Sequence, residues 1–119
     1  MKCELDKINE TIDGFKYLPS GWNRGDEIKI SDKVRIKTKI LNAITELFDF
    51  QKVIFPEDNG GIIFGFIKDD YYLSFIVREN CLEDFSVEKG MNYDFVVELE
   101  KDEIDWKELL KILYKYNKK

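Results

Sequence analysis

The residues from Lys52 to Val77 contain three apolar runs separated by two turn signals, and this pattern constrains the fold more than any other stretch of the chain. The first break, residues 56–61, is rich in residues that tolerate turn dihedrals, and the second, residues 68–70, is short and polar. In the last two runs, apolar side chains recur at every second position, which predicts a hairpin with at least one buried face. The alternating residues are Ile62, Phe64 and Phe66, followed by Tyr71, Leu73, Phe75 and Val77.

Two helices are predicted before this hairpin region. Residues 4–17 place their apolar side chains on one stripe of a first helix, which Pro19 ends. Ser31 is the predicted N-cap of the second helix, and Asp32 suits its positive end. We expect the apolar arc of this second helix to face the core. The arc consists of Ile36, Ile40, Leu41, Ile44, Leu47 and Phe48.

The second half of the chain predicts further strands and a last helix. Residues 81–87 form a weaker strand candidate, Glu88 to Gly90 form a turn, and residues 93–99 form a well-patterned edge strand. Asp105, followed three residues later by a glutamate, resembles a capping box at the start of the last helix. The order of elements predicts a single α+β domain over residues 1–119. Its expected parts are two N-terminal helices, a four- or five-stranded, mainly antiparallel meander and one C-terminal helix.

The composition excludes several kinds of site. The chain has 119 residues, 44% of them hydrophobic and 36% charged, with no histidine and two cysteines, Cys3 and Cys81. Without histidine, a Cys-His or Ser-His-Asp nucleophile cannot form, and two separate cysteines cannot make an ordinary zinc site. We expect reduced thiols rather than a structural disulfide. The first ten residues lack the apolar region of a signal peptide, so the chain is predicted to be cytoplasmic, without a membrane span, metal or cofactor.

The negative charge is concentrated in the second half of the chain. Nineteen basic and 24 acidic residues give a net charge of −5, and residues 79–108 contain eleven acids against three lysines. An acidic surface repels nucleic acid and suits a basic protein partner. In contrast, residues 29–39 are basic, and they support the alternative prediction of a nucleic-acid-associated regulatory protein. We nevertheless expect Arg35 and Lys39 merely to occupy the solvated side of the helix. The basic residues are Lys29, Lys33, Arg35, Lys37 and Lys39.

Catalytic and nucleotide-binding motifs are missing from the sequence. It contains no GxxxxGK[ST], GxGxxG or GxSxG motif and no EF-hand spacing. Cys81 lies among Glu79, Glu83 and Asp84, whose charges would raise the pKa of its thiol and suppress a reactive thiolate. We therefore predict that the protein is not an enzyme.

The loop after the first helix and the following hairpin contain a shared set of motif residues. These are Leu18, Pro19, Trp22, Asn23, Ser31, Pro56, Asn59, Gly60, Gly61, Ile62, Phe64 and Phe66. They resemble a group of small uncharacterised bacterial and phage proteins with an LPxxW[DN]G-like loop and a P-x-x-[DN]GG[IV] hairpin, whereas Arg24 and Gly25 depart from that pattern. The resemblance covers half the chain and implies a small helix-plus-sheet domain from a mobile or accessory gene neighbourhood, without implying an activity.

These observations together predict a small non-enzymatic protein that binds and modulates another protein. The expected role is antitoxin-like, that of an immunity protein or that of a phage-encoded inhibitor, with a partner that presents a basic surface. Trp22 is predicted either to close one end of the core or to contribute to the binding surface. The predicted protein-binding residues are Trp22, Glu57, Asp58, Asn59, Glu83, Asp84, Glu88, Asp94 and Glu98.

Overall fold

The computed structural model describes residues 4–18, 29–69, 71–89 and 96–117, and for Glu4 and residues 96–101 it describes the backbone alone. In chain order the elements are α1 (Glu4–Gly14), α2 (Asp32–Ile44), β1 (Gln51–Pro56), β2 (Ile62–Lys68), β3 (Tyr71–Val77), β4 (Leu82–Lys89), β5 (Val96–Ile104) and α3 (Trp106–Asn117). Short 3-10 turns extend α1 over Phe15–Tyr17 and α2 over Thr45–Leu47. The predicted α+β class, with two N-terminal helices and one C-terminal helix, is confirmed.

The five strands form one antiparallel sheet in the order β1-β2-β3-β4-β5, so each strand pairs with its neighbour in the chain. The central register places Phe64 opposite Phe75 and Gly65 opposite Ser74. β5 forms one edge of the sheet, as predicted. It continues to Ile104, however, beyond the predicted end at residue 99.

Strand β4 contains a bulge. Its pairing with β3 shifts register between Ser74 and Ile76, and Asp84 adopts a φ of 52°. Because two residues of β4 then oppose one of β3, the alternation of side chains changes phase at this point. The strand also runs past its predicted end and includes Glu88 and Lys89, so the predicted turn at these two residues is wrong.

The core lies between one face of the sheet and helices α1, α2 and α3. Phe64, Phe66 and Phe75 are completely buried and stack with ring centroids 4.8 to 5.8 Å apart. Burial of side chains of this size is the main source of hydrophobic stabilisation in such a sheet. The helices and their 3-10 turns contribute further buried side chains to this cluster, namely Ile12, Phe15, Val34, Leu41, Leu109, Leu113 and Tyr116.

The buried side of α2 differs from the predicted arc. Leu41 is buried as expected, and Ile44 and Phe48 are half-buried. Contrary to the prediction, the remaining three residues of the arc are exposed to solvent. They are Ile36, Ile40 and Leu47, with exposed fractions of 57%, 47% and 88%. The residues that α2 and its 3-10 turn bury are instead Val34, Thr38, Leu41, Asn42 and Thr45.

Hydrogen bonds within the helix explain why α2 can bury threonines. Thr38 Oγ1 donates to the carbonyl oxygen of Val34 at 2.7 Å, and Thr45 Oγ1 donates to that of Leu41 at 2.8 Å. Each buried hydroxyl is therefore satisfied by its own helix, and its methyl group can pack on the core. An apolar pattern does not predict this side, because it counts threonine as polar.

A buried polar network fixes α2 against β1 and α1. Lys52 Nζ donates to Asn42 O at 2.9 Å, to Asn42 Oδ1 at 3.0 Å and to Glu46 Oε2 at 2.7 Å. Asn42 Nδ2 donates in turn to Asn9 Oδ1 at 3.1 Å and to the carbonyl oxygen of Leu5 at 3.3 Å. Since all three ammonium protons of Lys52 have an acceptor, the cost of burying this charge is offset.

Both predicted N-caps are confirmed. Ser31 Oγ accepts the amide of Val34 at 3.3 Å at the start of α2. Asp105 Oδ1 accepts the amide of Glu108 at 2.7 Å at the start of α3. These side chains satisfy amides that lack a partner within the helix, which fixes where each helix begins.

Candidate protein-binding face

The sheet face opposite the helices, which we call the open face, presents apolar side chains from three neighbouring strands. Ser74 and Ser86 lie on this face with Oγ atoms 3.3 Å apart, and strand alternation places Ile63 and Ile76 on the same side. Phe55 is 51% exposed there, and its apolar neighbours are half-buried. The open face includes Gln51, Val53, Phe55, Ile63, Gly65, Ile67, Tyr72, Ser74, Ile76, Glu83, Ser86 and Glu88.

The Tyr72 ring lies across the backbone of Gly65 at the centre of the open face. A Cβ atom at Gly65 would lie 2.6 Å from Tyr72 Cε1 and 2.7 Å from Val53 Cγ2, so the ring fills the space that a side chain would take. Glu88 lies opposite Tyr72 on β4. The pKa of Tyr72 is raised, first by its burial and then by the charge of Glu88. The face therefore has an apolar centre with a phenol and a carboxylate towards one side.

Arg78 binds two of the acids that were predicted as site residues. Its Nε donates to Glu83 Oε2 at 3.0 Å, and its Nη1 donates to Glu57 Oε2. Glu57 Oε2 also accepts the amides of Asn59 at 3.1 Å and Gly61 at 3.3 Å. Burial lowers the pKa of Arg78, but the hydrogen bonds to the two carboxylates outweigh burial and raise it overall. Glu57 and Glu83 therefore stabilise the turn before β2 and the start of β4.

Cys81 and Lys37 lie beside this ion-pair cluster. Cys81 is a free thiol whose Sγ donates to Glu83 Oε1 at 3.4 Å, while Cys3 lies outside the described residues. The pKa of the Cys81 thiol is raised by burial first and by Glu83 second, so the predicted direction is confirmed. Lys37 Nζ donates to the carbonyl oxygens of Arg78 at 2.9 Å and Cys81 at 3.4 Å, and burial lowers its pKa. A thiol in this environment is protonated at neutral pH.

Of the remaining predicted binding residues, those that the structure describes lie in the turn before β2 and on β4. Asn59 is exposed in the turn before β2, next to a half-buried Asp58. Asp84 is exposed at the bulge, and Glu88 belongs to the open face. The structure thus joins Glu57 and Glu83 through Arg78, and it places Glu83 and Glu88 on the same face of β4. Trp22, Asp94 and the side chain of Glu98 lie outside the part of the chain that the structure describes.

Sequence reasoning missed the open face, although a signal for it is present. Residues 53–55, 62–64 and 75–77 are each apolar at three consecutive positions, so both faces of β1, β2 and β3 carry apolar side chains. Such runs are typical of strands that are covered on both sides. Within the described ranges, helices α1, α2 and α3 direct their buried residues to one side of the sheet.

The basic residues at the start of α2 contact other residues of the same chain. Lys39 Nζ donates to Asp13 Oδ1 of α1 at 3.1 Å, and Arg35 Nη1 lies 4.0 Å from the same oxygen. Arg35 also pairs with Asp32, and its side chain is only 12% exposed. The prediction of a solvated side is therefore wrong for Arg35, whereas Lys39 pairs with α1 and keeps its side chain 37% exposed.

Within the part of the chain that the structure describes, no group of three or more Cys, Asp or Glu residues could hold a metal ion. In the same residues, no helix is both long enough and apolar enough to cross a bilayer. Comparison with protein-family models, with curated proteins and with solved structures finds no match to this chain. The resemblance to small bacterial and phage proteins stays a prediction.

Proposed function

We propose that the protein acts by binding another protein through the open face of its sheet, as an inhibitor, an immunity protein or an antitoxin does. The observation that supports this is the contiguous apolar surface of β1, β2 and β3, with Phe55 51% exposed at its edge. Soluble proteins rarely present such patches to water, and those that do use them for interaction. Covering this surface with a partner would remove apolar area from water and stabilise the complex.

The composition of the open face indicates the chemistry of the partner. Ile63 and Ile76 at its centre require an apolar patch on the partner, such as one side of a helix or a hydrophobic loop. Glu88 at one side, together with the net charge of −5, favours basic residues around that patch. The apolar centre supplies most of the affinity, and the charges set the orientation and the association rate.

The cluster around Arg78 agrees with a role that is not enzymatic. The carboxylates of Glu57 and Glu83 are hydrogen-bonded to the same guanidinium. The pKa of Glu83 is lowered, first by its hydrogen bond to Arg78, which makes this carboxylate a weak base. The neighbouring Cys81 thiol has a raised pKa, so it is a poor nucleophile at neutral pH. These groups fasten strand ends to one another, which is a structural role.

A nucleic-acid-associated role receives less support from the basic segment at residues 29–39. Lys37 bonds to backbone carbonyl oxygens, and Lys39 and Arg35 pair with Asp13 of the same chain. Phosphate binding would have to compete with these contacts. We therefore retain protein binding as the proposed function.

Site-specific photo-crosslinking in the native host tests the proposal. A photoreactive amino acid at Phe55 should give a discrete adduct, whereas the same amino acid at Tyr114, which is 55% exposed on α3, should not. Ile76→Lys should abolish the adduct at Phe55 because it places a charge at the centre of the apolar patch. Glu88→Lys should weaken it most at low salt, where the charge attraction is least screened.

Three results would contradict the proposal. They are the absence of an adduct at Phe55, equal adducts at Phe55 and Tyr114, and an adduct that persists in an Ile76→Lys variant with an unchanged circular dichroism spectrum. Mass spectrometry of the adduct identifies the partner. If that partner lacks a basic surface, the proposed charge complementarity is wrong even if the open face is the binding surface.

A further inference from the structure

Helix α2 and its 3-10 turn expose an apolar stripe that the core does not use. Ile36, Ile40 and Leu47 are 57%, 47% and 88% exposed, and Ala43 between them is also exposed. These four residues, which we call the α2 stripe, follow the i, i+4, i+7, i+11 spacing of a coiled-coil seam. The stripe is about 16 Å long, at about 1.5 Å per residue.

Contacts on the other sides of α2 identify the stripe as its outward side. Leu41 faces the sheet, and Lys39 pairs with Asp13 of α1. Lys37 lies over the ring of Trp106 of α3, with Nζ 5.9 Å from the centroid. The α2 stripe lies on the remaining side and points away from the sheet, whereas the open face is on the far side of the sheet. One partner can therefore occupy the open face while another occupies the stripe.

We propose that a second copy of this chain covers the α2 stripe, with the two helices packed antiparallel about a two-fold axis. In this arrangement Ile40 packs on Ala43 of the other copy, and Leu47 packs on its Ile36. The symmetry repeats each contact, so one four-residue stripe forms both halves of the interface. The small side chain of Ala43 lets the helices approach closely near the centre, and the larger residues fill the ends.

Charges at the two ends of the stripe favour antiparallel pairing with an identical chain. Lys33 precedes the stripe, and Glu46 and Asp49 lie at its other end, all three exposed. Antiparallel pairing places Lys33 of each copy near the acidic end of the other, whereas parallel pairing would bring like charges together. Lys33 donates to Asn80 but remains accessible. Glu46 accepts from Lys52, and its side chain is still 47% exposed. Antiparallel helix dipoles add to the same preference.

The size of the interface sets the expected affinity. Two helices that pack over three turns bury on the order of 1,000 Å² in total, at the lower end of specific interfaces. We therefore expect a dissociation constant in the micromolar range, roughly 1 to 100 micromolar. The dimer is independent of the proposed binding of another protein, because it uses a different surface.

Sedimentation velocity of the full chain from about 1 to about 500 micromolar tests the dimer. The wild-type sedimentation coefficient should rise from the monomer value to the dimer value across this range. Ile40→Glu should remain monomeric throughout, with at least a tenfold weaker association, and retain the circular dichroism spectrum of the wild type. Tyr114→Glu is the matched control, since it adds the same charge at an exposed residue of α3 and should leave the dimer intact.

Disulfide trapping tests the direction of pairing with folded protein. In a background with Cys3→Ser and Cys81→Ser, Ile40→Cys and Ala43→Cys chains are oxidised separately and as a mixture. Antiparallel pairing brings these two positions together, so the mixed disulfide should exceed both homodisulfides. A wild type that stays monomeric at every concentration, a dimer that Ile40→Glu does not dissociate, or a dominant Ile40→Cys homodisulfide would each overturn the proposal.

Discussion

Breaking the bonds between Asn42 and Lys52 should show how much the buried polar network stabilises the fold. The Lys52 side chain is only 3% exposed, so its ammonium group cannot turn to water when an acceptor is lost. Asn42→Leu keeps the size of the side chain and removes the acceptor 3.0 Å from Lys52 Nζ, together with both donations to α1. We expect this change to lower the free energy of unfolding by about 3 to 5 kcal/mol, because the Lys52 ammonium group loses one acceptor and two acceptors on α1 lose their donor.

This loss is large for a chain of 119 residues. At about 2.1 cal/mol/K per residue, the unfolding entropy is about 0.25 kcal/mol/K, so a loss of about 4 kcal/mol lowers Tm by about 16 °C. Lys52→Met removes the charge itself and leaves Asn42 Oδ1 without this donor, at a cost of about 1 to 2 kcal/mol. In the double variant the buried ammonium group and the side-chain acceptor of Asn42 are both gone, and Glu46, which is 47% exposed at its side chain, can be hydrated, so we expect stability within about 1 kcal/mol of the wild type.

The assay is urea unfolding of the wild type, the two single variants and the double variant at one protein concentration, so that any self-association affects all four alike. The double-mutant cycle should give a coupling energy of about 5 kcal/mol. A coupling energy below about 0.5 kcal/mol would refute the reasoning, because the two side chains would then contribute independently.

Three further predictions concern the core, a helix cap and the ion pairs. Phe75→Ala should lower the free energy of unfolding by about 3 to 5 kcal/mol in urea titrations, since it empties the centre of the phenylalanine stack; a loss under about 1 kcal/mol would contradict complete burial. Ser31→Ala should cost about 1 kcal/mol in thermal melts and Ser31→Asp much less, because only the alanine lacks a capping oxygen. The pKa of Glu83 lies below its usual value of 4.5, chiefly because Arg78 donates a hydrogen bond to it, and secondarily because Cys81 does. The contribution of Glu83 to the free energy of unfolding is therefore complete above about pH 5 and is lost as the pH falls through the folded-state pKa. Glu83→Gln should cost about 0.5 to 1 kcal/mol at neutral pH and close to nothing near pH 3. A pH-independent cost would argue against the ion pair.

The strands could be predicted from sequence because their signals are local. The alternation from Ile62 to Phe66 and the turn at residues 56–61 each depend on neighbouring residues only, and the observed pairing of β2 with β3 follows from them. The cluster around Arg78 is different, because Glu57 lies 21 positions away in the chain and reaches Arg78 only once β1, β2 and β3 have paired. No local pattern indicates that contact.

The orientation of α2 could not be predicted from its own residues. Its apolar pattern points Ile36 and Ile40 towards the core, but the observed orientation depends on Lys52, a residue of β1 that needs the acceptors of Asn42. Because Thr38 satisfies its hydroxyl within the helix, the less apolar side can face the sheet without an unpaired group. This orientation of α2 exposes Ile36 and Ile40, which belong to the proposed dimer surface. The residues for which the prediction was wrong are therefore those whose apolar character is not explained by a contact with the core.

The sequential strand order also determines how the chain reaches its native state. A sheet in which every strand adds to the one synthesised just before it closes only short loops, and such topologies fold faster than those with distant pairings. Hairpins can form in succession as the polypeptide leaves the ribosome, while α3, the final element of the core, is still inside the exit tunnel. Until Leu109 and Leu113 emerge, the nascent sheet has a hydrophobic surface without its last covering helix, and this is the stage at which the protein is most exposed to chaperones and to aggregation.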